Sequence, residues 1–187
     1  MLQDPGQRAR APQPLRLVQE FVNTVDVENG VEELATPDDL AALLDRLELG
    51  GPDLRLGERD LRDALEVREA LRRLLLGNNG LEVPAEALAT LERAGRAGHL
   101  ALRLDDAGAR LVAEAPGLDG ALGTLAAVVF TAMENGTWQR LKACRREVCH
   151  WVFYDRSRNR SSTWCAMSVC GNRTKTRRYR SRGVRST

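Results

Sequence analysis

Four cysteines carry the clearest chemistry in the chain. Cys144 and Cys149 are separated by four residues, Cys165 and Cys170 repeat that spacing, and fifteen residues lie between the pairs. Two short-spaced thiol pairs joined by a connection of hairpin length suit a tetrahedral four-thiolate zinc site, each pair gripping the ion from one turn. The competing readings are two disulfides or four buried thiols. A reducing cytoplasm disfavours the first, and the crowding of all four cysteines into 27 residues disfavours the second. Four thiolates fill the coordination shell and leave no open position for water or substrate, so the expected cofactor is one structural zinc ion. His150 directly follows Cys149, but a residue beside a ligand ordinarily points away from the metal. A segment this short has too little core to fold alone, so metal binding supplies its folding free energy.

The second chemical signal is charge. The overall net charge of +2 averages two opposed halves: 14 basic against 24 acidic residues up to Gln139, and 14 against 2 from Arg140 onward. An acidic body joined to a basic module is the footprint of a protein aimed at polyanions. Arg173, Lys175, Arg177, Arg178, Arg180 and Arg182 crowd the C-terminal end, and a second group, Arg145, Arg146, Arg156, Arg158 and Arg160 in the knuckle and the polar stretch between the cysteine pairs, is expected to add backbone grip. Such side chains neutralise phosphates, and arginine also reads guanine bidentately. Tyr179 interleaved in the basic run argues against a merely solubilising tail. Trp151, Tyr154 and Trp164 discriminate two targets. Exposed, they would stack on the bases of single strands or RNA; buried around the zinc, they favour duplex DNA, and burial is expected because the module has few other apolar residues.

Outside this module no reaction is legible. No glycine-rich phosphate loop, nucleophile elbow or Ser/His/Asp set is present, and the lone His99 reads as structural or solvated. The elements that must carry the site are helical. Residues 1–14, with Pro5, Pro12 and Pro14, read as a disordered leader lacking the apolar core of a signal peptide. Helical spacing begins at Leu15, with Asn29-Gly30 as a stop. Thr36-Pro37-Asp38-Asp39 starts a second helix, Glu58 to Leu76 forms a third, and a fourth begins near Pro84. The period then falls to two over Leu100 to Ala113, which predicts one β-hairpin, and Leu118 to Met133 is the central apolar helix. In the last quarter, His150–Tyr154 and Ser162–Trp164 are expected to pair as strands around a turn at 155–160. A helix is expected to start at the second cysteine pair, giving a treble-clef-like finger in which Gly171 divides the helix or marks a turn. The expected organisation is a leader (1–14), a multihelical domain with one hairpin (15–138) and a zinc-binding module with its own core (139–187). No stretch reaches the ~18 uninterrupted apolar residues of a membrane span, so a cytoplasmic protein is expected.

The string Trp164-Cys165-Ala166-Met167-Ser168-Val169-Cys170-Gly171-Asn172-Arg173, preceded by Asp155-Arg156-Ser157-Arg158-Asn159, closely resembles the CGNR zinc finger family. Phe21-Val22-Asn23-Thr24 and the Thr36 to Leu47 helix resemble the ABATE domain, which precedes that finger in bacterial proteins described as "putative stress-induced transcription regulators". The resemblance implies a zinc held by Cys144, Cys149, Cys165 and Cys170 and DNA binding, with no established enzymatic activity; Gly171-Asn172-Arg173 belongs to the finger. Where family members often carry basic residues before the Trp-Cys pair, this chain has Ser162-Thr163. Three readings follow. The first is a DNA-binding regulator whose helical domain senses a small-molecule effector or makes a homodimer. The second is an RNA-binding protein using the same finger. The third is a small-molecule-binding protein or enzyme with the finger as a structural accessory.

Overall fold

A computed structural model describes residues 8–51, 54–106 and 108–174. Among them, five α-helices precede the cysteine region: α1 (Leu15–Val22), α2 (Pro37–Arg46), α3 (Glu58–Gly77), α4 (Ala85–Ala97) and α5 (Gly117–Glu134). Their ends follow from local chemistry. At α2, Thr36 Oγ1 accepts from the Asp39 N–H while the Asp39 carboxylate accepts from the Thr36 N–H, and Pro37 supplies a preset first turn. At α3, the Asp60 carboxylate reaches back to the Gly57 N–H at 2.7 Å. The fold is mainly α, as the spacing of apolar residues predicts. The expected hairpin is β3 (Leu100–Asp105) paired antiparallel with β4 (Gly108–Ala113).

The first helix is shorter than its stop signal suggests. α1 ends at Val22 because Asn23 turns its side chain away to another part of the molecule, and Thr24 Oγ1 donates to the Phe21 carbonyl. The chain then makes a small antiparallel pair, β1 (Val25–Asp26) with β2 (Val31–Glu32). Asn29-Gly30 sits in the connecting turn, where Gly30 takes φ +65° and Asp26 accepts from the Asn29 N–H.

α5 is the axis of the core. At 18 residues and a mean hydropathy of 1.2 it is long and apolar enough to cross a membrane, but 61% of it is buried inside the protein, as in a core helix. α4 approaches α5 so closely that a Cβ on Gly98 would lie 2.5 Å from the Gly123 Cα, and one on Gly123 would lie 2.7 Å from the Gly98 Cα. The two glycines thus set the distance of closest approach.

One expectation is corrected. Residues 8–14 are not a disordered leader: Ala11 is fully buried, its N–H donates to Gln19 Oε1 at 2.7 Å, and the Arg8 guanidinium lies 4.7 Å from the Trp151 ring centroid. Only residues 1–7 of that leader lie outside the described residues. The cysteine region has the core of its own that was expected, with Trp151 and Phe153 around the sulfurs, but Leu141, Ala143 and Val152 also tie it into the main hydrophobic core with α1, α3 and α5. The charge reversal near Gln139 does not keep the two parts from packing together, because packing follows apolar side chains rather than net charge.

Gly123→Ala is expected to force α4 and α5 apart and to lower stability by about 1–3 kcal/mol, the usual cost of overpacking. Chemical denaturation of the purified variant measures it.

Candidate metal centre

The metal centre is built on a third hairpin. β5 (Leu141–Ala143) and β6 (Val152–Tyr154) pair antiparallel, with Ala143 opposite Val152, so the first cysteine pair lies in the turn that joins them. The expected partner of β6, Ser162–Trp164, is not a strand. The reason lies in Asp155. It ends β6, and its carboxylate accepts from the N–H groups of Ser157 and Ser162, folding 155–162 into a loop tied to itself. The Cys144 N–H donates to the Trp151 carbonyl, and the N–H groups of Cys149 and His150 both reach the Arg146 carbonyl. After Cys165 the chain makes a π-helical turn, Met167–Gly171, in which the Gly171 N–H reaches the Ala166 carbonyl. A Cβ on Gly171 would lie 2.0 Å from the Met167 sulfur, so a larger residue there would require the exposed Met167 side chain to move aside. The expected C-terminal helix thus begins as a wide turn and continues through 172–174.

The four cysteine sulfurs lie within 4.8 Å of one another, all buried and none in a disulfide. Cys149 and Cys165 Sγ are 3.8 Å apart, and Cys165 and Cys170 Sγ are 3.6 Å apart. A tetrahedron with Zn–S bonds of ~2.3 Å has S···S edges of about 3.8 Å. A disulfide requires about 2.05 Å. The donor set therefore fits one structural zinc ion, and the spacing excludes the disulfide reading. His150 contributes no ligand atom to the cluster.

Electrostatics agree with this assignment. The thiol of Cys144 is pushed up to about 12 by its hydrogen bond to Cys149 and by burial. At Cys149 the bond to Cys144 acts downward, but the Cys165 thiol and burial outweigh it, again to about 12. Cys165 is likewise raised to about 12, first by Cys144. Cys170 differs. Burial pushes its thiol up, but the Arg146 guanidinium, 3.9 Å from its sulfur, and the other cysteines bring it below the usual value. Four sulfurs packed this closely resist ionisation together, and a divalent cation is the natural counter-charge.

Around the sulfurs, β6 alternates its side chains between two interiors. Trp151 and Phe153 are buried with the cysteines, and Trp164 packs half-buried against them, whereas Val152 enters the main core and Tyr154 packs against it. Of the three aromatic residues expected to be buried around the zinc, Trp151 is; Trp164 is only half-buried there, and Tyr154 is half-buried against the main core instead. Behind the cluster, Lys142 and Asp155 form a buried ion pair at 2.8 Å, and the Lys142 ammonium also donates to the carbonyls of Arg160 and Ser162. Burial acts upward on the Asp155 carboxyl, but Lys142, Ser157 and Ser162 overcome it and hold it well below the usual carboxylate range.

The helical body grips the hairpin by its main chain. Asn23 donates to the Val152 carbonyl and accepts from the Val152 N–H, Gln19 donates to the same carbonyl, and Arg72 donates to the His150 carbonyl. From the end of α3, Asn78 reaches the Trp138 and Leu141 carbonyls, and Asn79 reaches those of Ala143 and Thr163. Sequence reasoning missed these residues and the Lys142–Asp155 pair. Asp155, one of only two acids after Gln139, was the available signal, since an acid amid arginines marks an internal ion pair.

Of the predicted nucleic-acid contacts, Arg156, Arg158 and Arg160 are exposed on the loop that Asp155 organises. Arg173 is exposed but paired with Glu28 at 2.5 Å. Lys175, Arg177, Arg178, Arg180 and Arg182 lie outside the described residues.

Residues 140–183 match the family model of the CGNR zinc finger, and residues 15–134 match that of the ABATE domain, described as "Putative stress-induced transcription regulator". No curated protein matches the chain.

Purified protein is expected to hold one zinc per chain by elemental analysis. Cys170→Ser should abolish it and, because the hairpin is shared with the main core, lower the melting temperature of the whole chain rather than unfold the finger alone; calorimetry distinguishes the two. The Asp155 carboxyl is depressed in the folded state, so its stabilising contribution is complete above about pH 4 and lost as pH falls below that. Asp155→Asn should therefore destabilise at neutral pH, by about 3–5 kcal/mol as expected when a buried pair is broken, and should flatten the acid limb of a stability-against-pH curve.

Proposed function

We infer the function of this chain from the family to which it belongs, that of the ABATE-domain regulators, with a CGNR zinc finger at its C-terminal side. The reading is a nucleic-acid-binding transcription regulator, acting on duplex DNA in the cytoplasm and without catalytic activity. The observation that carries it is the loop 155–162. A buried ion pair and two N–H donors fix its backbone beside the metal centre, while Arg158 and Arg160 are exposed on it and Arg156, also exposed, donates to the Arg10 carbonyl. Cations on a rigid loop lose little freedom when they meet a phosphate backbone.

The choice of duplex DNA over RNA rests on the aromatic residues. In support, Trp151 is used in the core around the cysteines, and Tyr154 and Trp164 are each half-buried, which leaves no fully exposed ring among the three as a stacking platform. For the helical body the reading is a sensor or dimerisation domain. In support, an open apolar groove of about 630 Å³ runs between α4 and α5, with half-exposed Leu88, Phe130 and Met133 in its walls.

Fluorescence anisotropy of the full chain with labelled duplex DNA and single-stranded RNA, each at several salt concentrations, tests the assignment. Duplex DNA is expected to bind more tightly, with a strongly salt-dependent constant. Replacing Arg156, Arg158 and Arg160 together by Ala should flatten the slope of log K against log salt by about 2–3 units. Tighter binding to single-stranded RNA would reverse the choice of target, and unchanged binding by the triple variant would remove the loop from the interface.

A further inference from the structure

Beside the cysteine cluster lies a cavity of about 650 Å³ whose walls include Arg145, Arg146 and Arg173 with Thr163, Trp164 and Thr174. Three arginines thus line one concavity, with Glu147 as the single acid in its lining. The metal region fixes two of them. Arg146 lies between the two cysteines of the first turn and approaches Cys170 Sγ at 3.9 Å. Arg173 follows the π-helical turn, where Thr174 Oγ1 donates back to the Cys170 carbonyl at 2.9 Å.

Both of these arginines hold one carboxylate from the acidic body. Glu28 lies in the β1–β2 turn; its Oε2 accepts from Arg146 Nη1 at 2.8 Å and its Oε1 from Arg173 Nη1 at 2.5 Å. A carboxylate forked between two guanidinium groups presents the two anionic oxygens that a phosphodiester would present. The side chains of Glu28, Arg146 and Arg173 remain 24%, 22% and 58% exposed. Ion pairs with that access to water are weak and exchange readily. Arg145 makes no ion pair among the described residues, and so it offers the cavity an uncommitted charge.

We propose that this cavity is a phosphate-binding notch for a nucleic-acid backbone, and that Glu28 occupies its Arg146 and Arg173 until a phosphate displaces it. The proposal rests on the nucleic-acid reading above and adds to it a site and an internal competitor. Binding at the notch would exchange a Glu28 carboxylate for a phosphate, so the acidic body would set the threshold affinity of the basic one. Arg146 retains its contact with Cys170 after the exchange, which keeps the notch in shape.

The test uses the full zinc-loaded chain and two probes, a labelled 20-base-pair duplex and inorganic pyrophosphate. Glu28→Gln keeps the shape of the side chain and removes its charge. It is expected to bind the duplex about three- to tenfold more tightly at low salt, with a slope of log K against log salt steeper by about one to two units, as two more cations meet phosphates. Glu86→Gln, the same charge change on α4, should leave the slope unaltered. Arg145→Ala should flatten the slope by about one unit. Pyrophosphate should bind Glu28→Gln more tightly than the unaltered chain and compete with the duplex. Duplex affinity and slope unchanged or reduced in Glu28→Gln, with its zinc content intact, would overturn the proposal. If Glu28→Gln loses zinc, Arg145→Ala decides, and an unchanged slope there overturns it equally. Tighter pyrophosphate binding by Glu28→Gln without any duplex binding would support the notch and overturn the nucleic-acid reading.

Discussion

One three-residue strand holds the molecule together. Val152 is fully buried in the helical core, while Trp151 and Phe153 on either side of it are buried with the four sulfurs. The period-two alternation of a strand makes this possible, because successive side chains leave opposite faces. An element with two buried faces normally lies inside a sheet of several strands. Here the second face is covered by a metal centre, which substitutes compact coordination for the apolar area that such a short segment lacks. Metal loading and the packing of α1 and α3 are therefore coupled through Val152.

The buried polar network shows how the two parts are joined. Arg68 is 5% exposed and holds Glu32 bidentately at 2.7 and 2.8 Å, while Glu69 bridges Arg68 and Arg72. Burial disfavours the charge on Arg72, and Glu69 offsets only part of that effect. Arg72 then donates to the Val22 and His150 carbonyls, linking α1, α3 and the turn after Cys149. Once buried, each of these donors has a partner, so breaking the docking would expose several groups at once. The arrangement favours one fixed position of the finger over a tethered and independently moving one.

Much of this was legible from the chain. The cysteine spacing is a local pattern with a fixed stereochemical meaning, and it led directly to a cluster of four free sulfurs. The helices were legible for a similar reason, since caps such as Thr36 and Asp39 act within one turn. What escaped notice was non-local. The partner of β6 was sought downstream because Ser162–Trp164 is β-prone; the strand pairs instead with Leu141–Ala143, which carries no alternation long enough to announce itself. The packing of residues 8–14 depends on Gln19 and Trp151 meeting them in space, and three prolines in fourteen residues pointed the other way. Asn78 and Asn79 read simply as the end of a helix, whereas their amides span to carbonyls more than sixty positions along the chain.

Gln19, Asn23, Arg72, Asn78 and Asn79 share one property: toward the finger they donate to backbone carbonyls. A carbonyl is the same group whichever residue bears it, so the grip is blind to most of the finger's side chains. The residues that must keep their identity are few, namely the four sulfurs, the buried aromatics, the core residues Leu141, Ala143 and Val152, and the Lys142–Asp155 pair. The exposed side chains of Arg158, Asn159 and Arg160 are free to change without loosening the joint. This separation between a holding surface that reads the main chain and a working surface made of side chains would let lineages exchange one set of exposed residues for another while inheriting the scaffold intact.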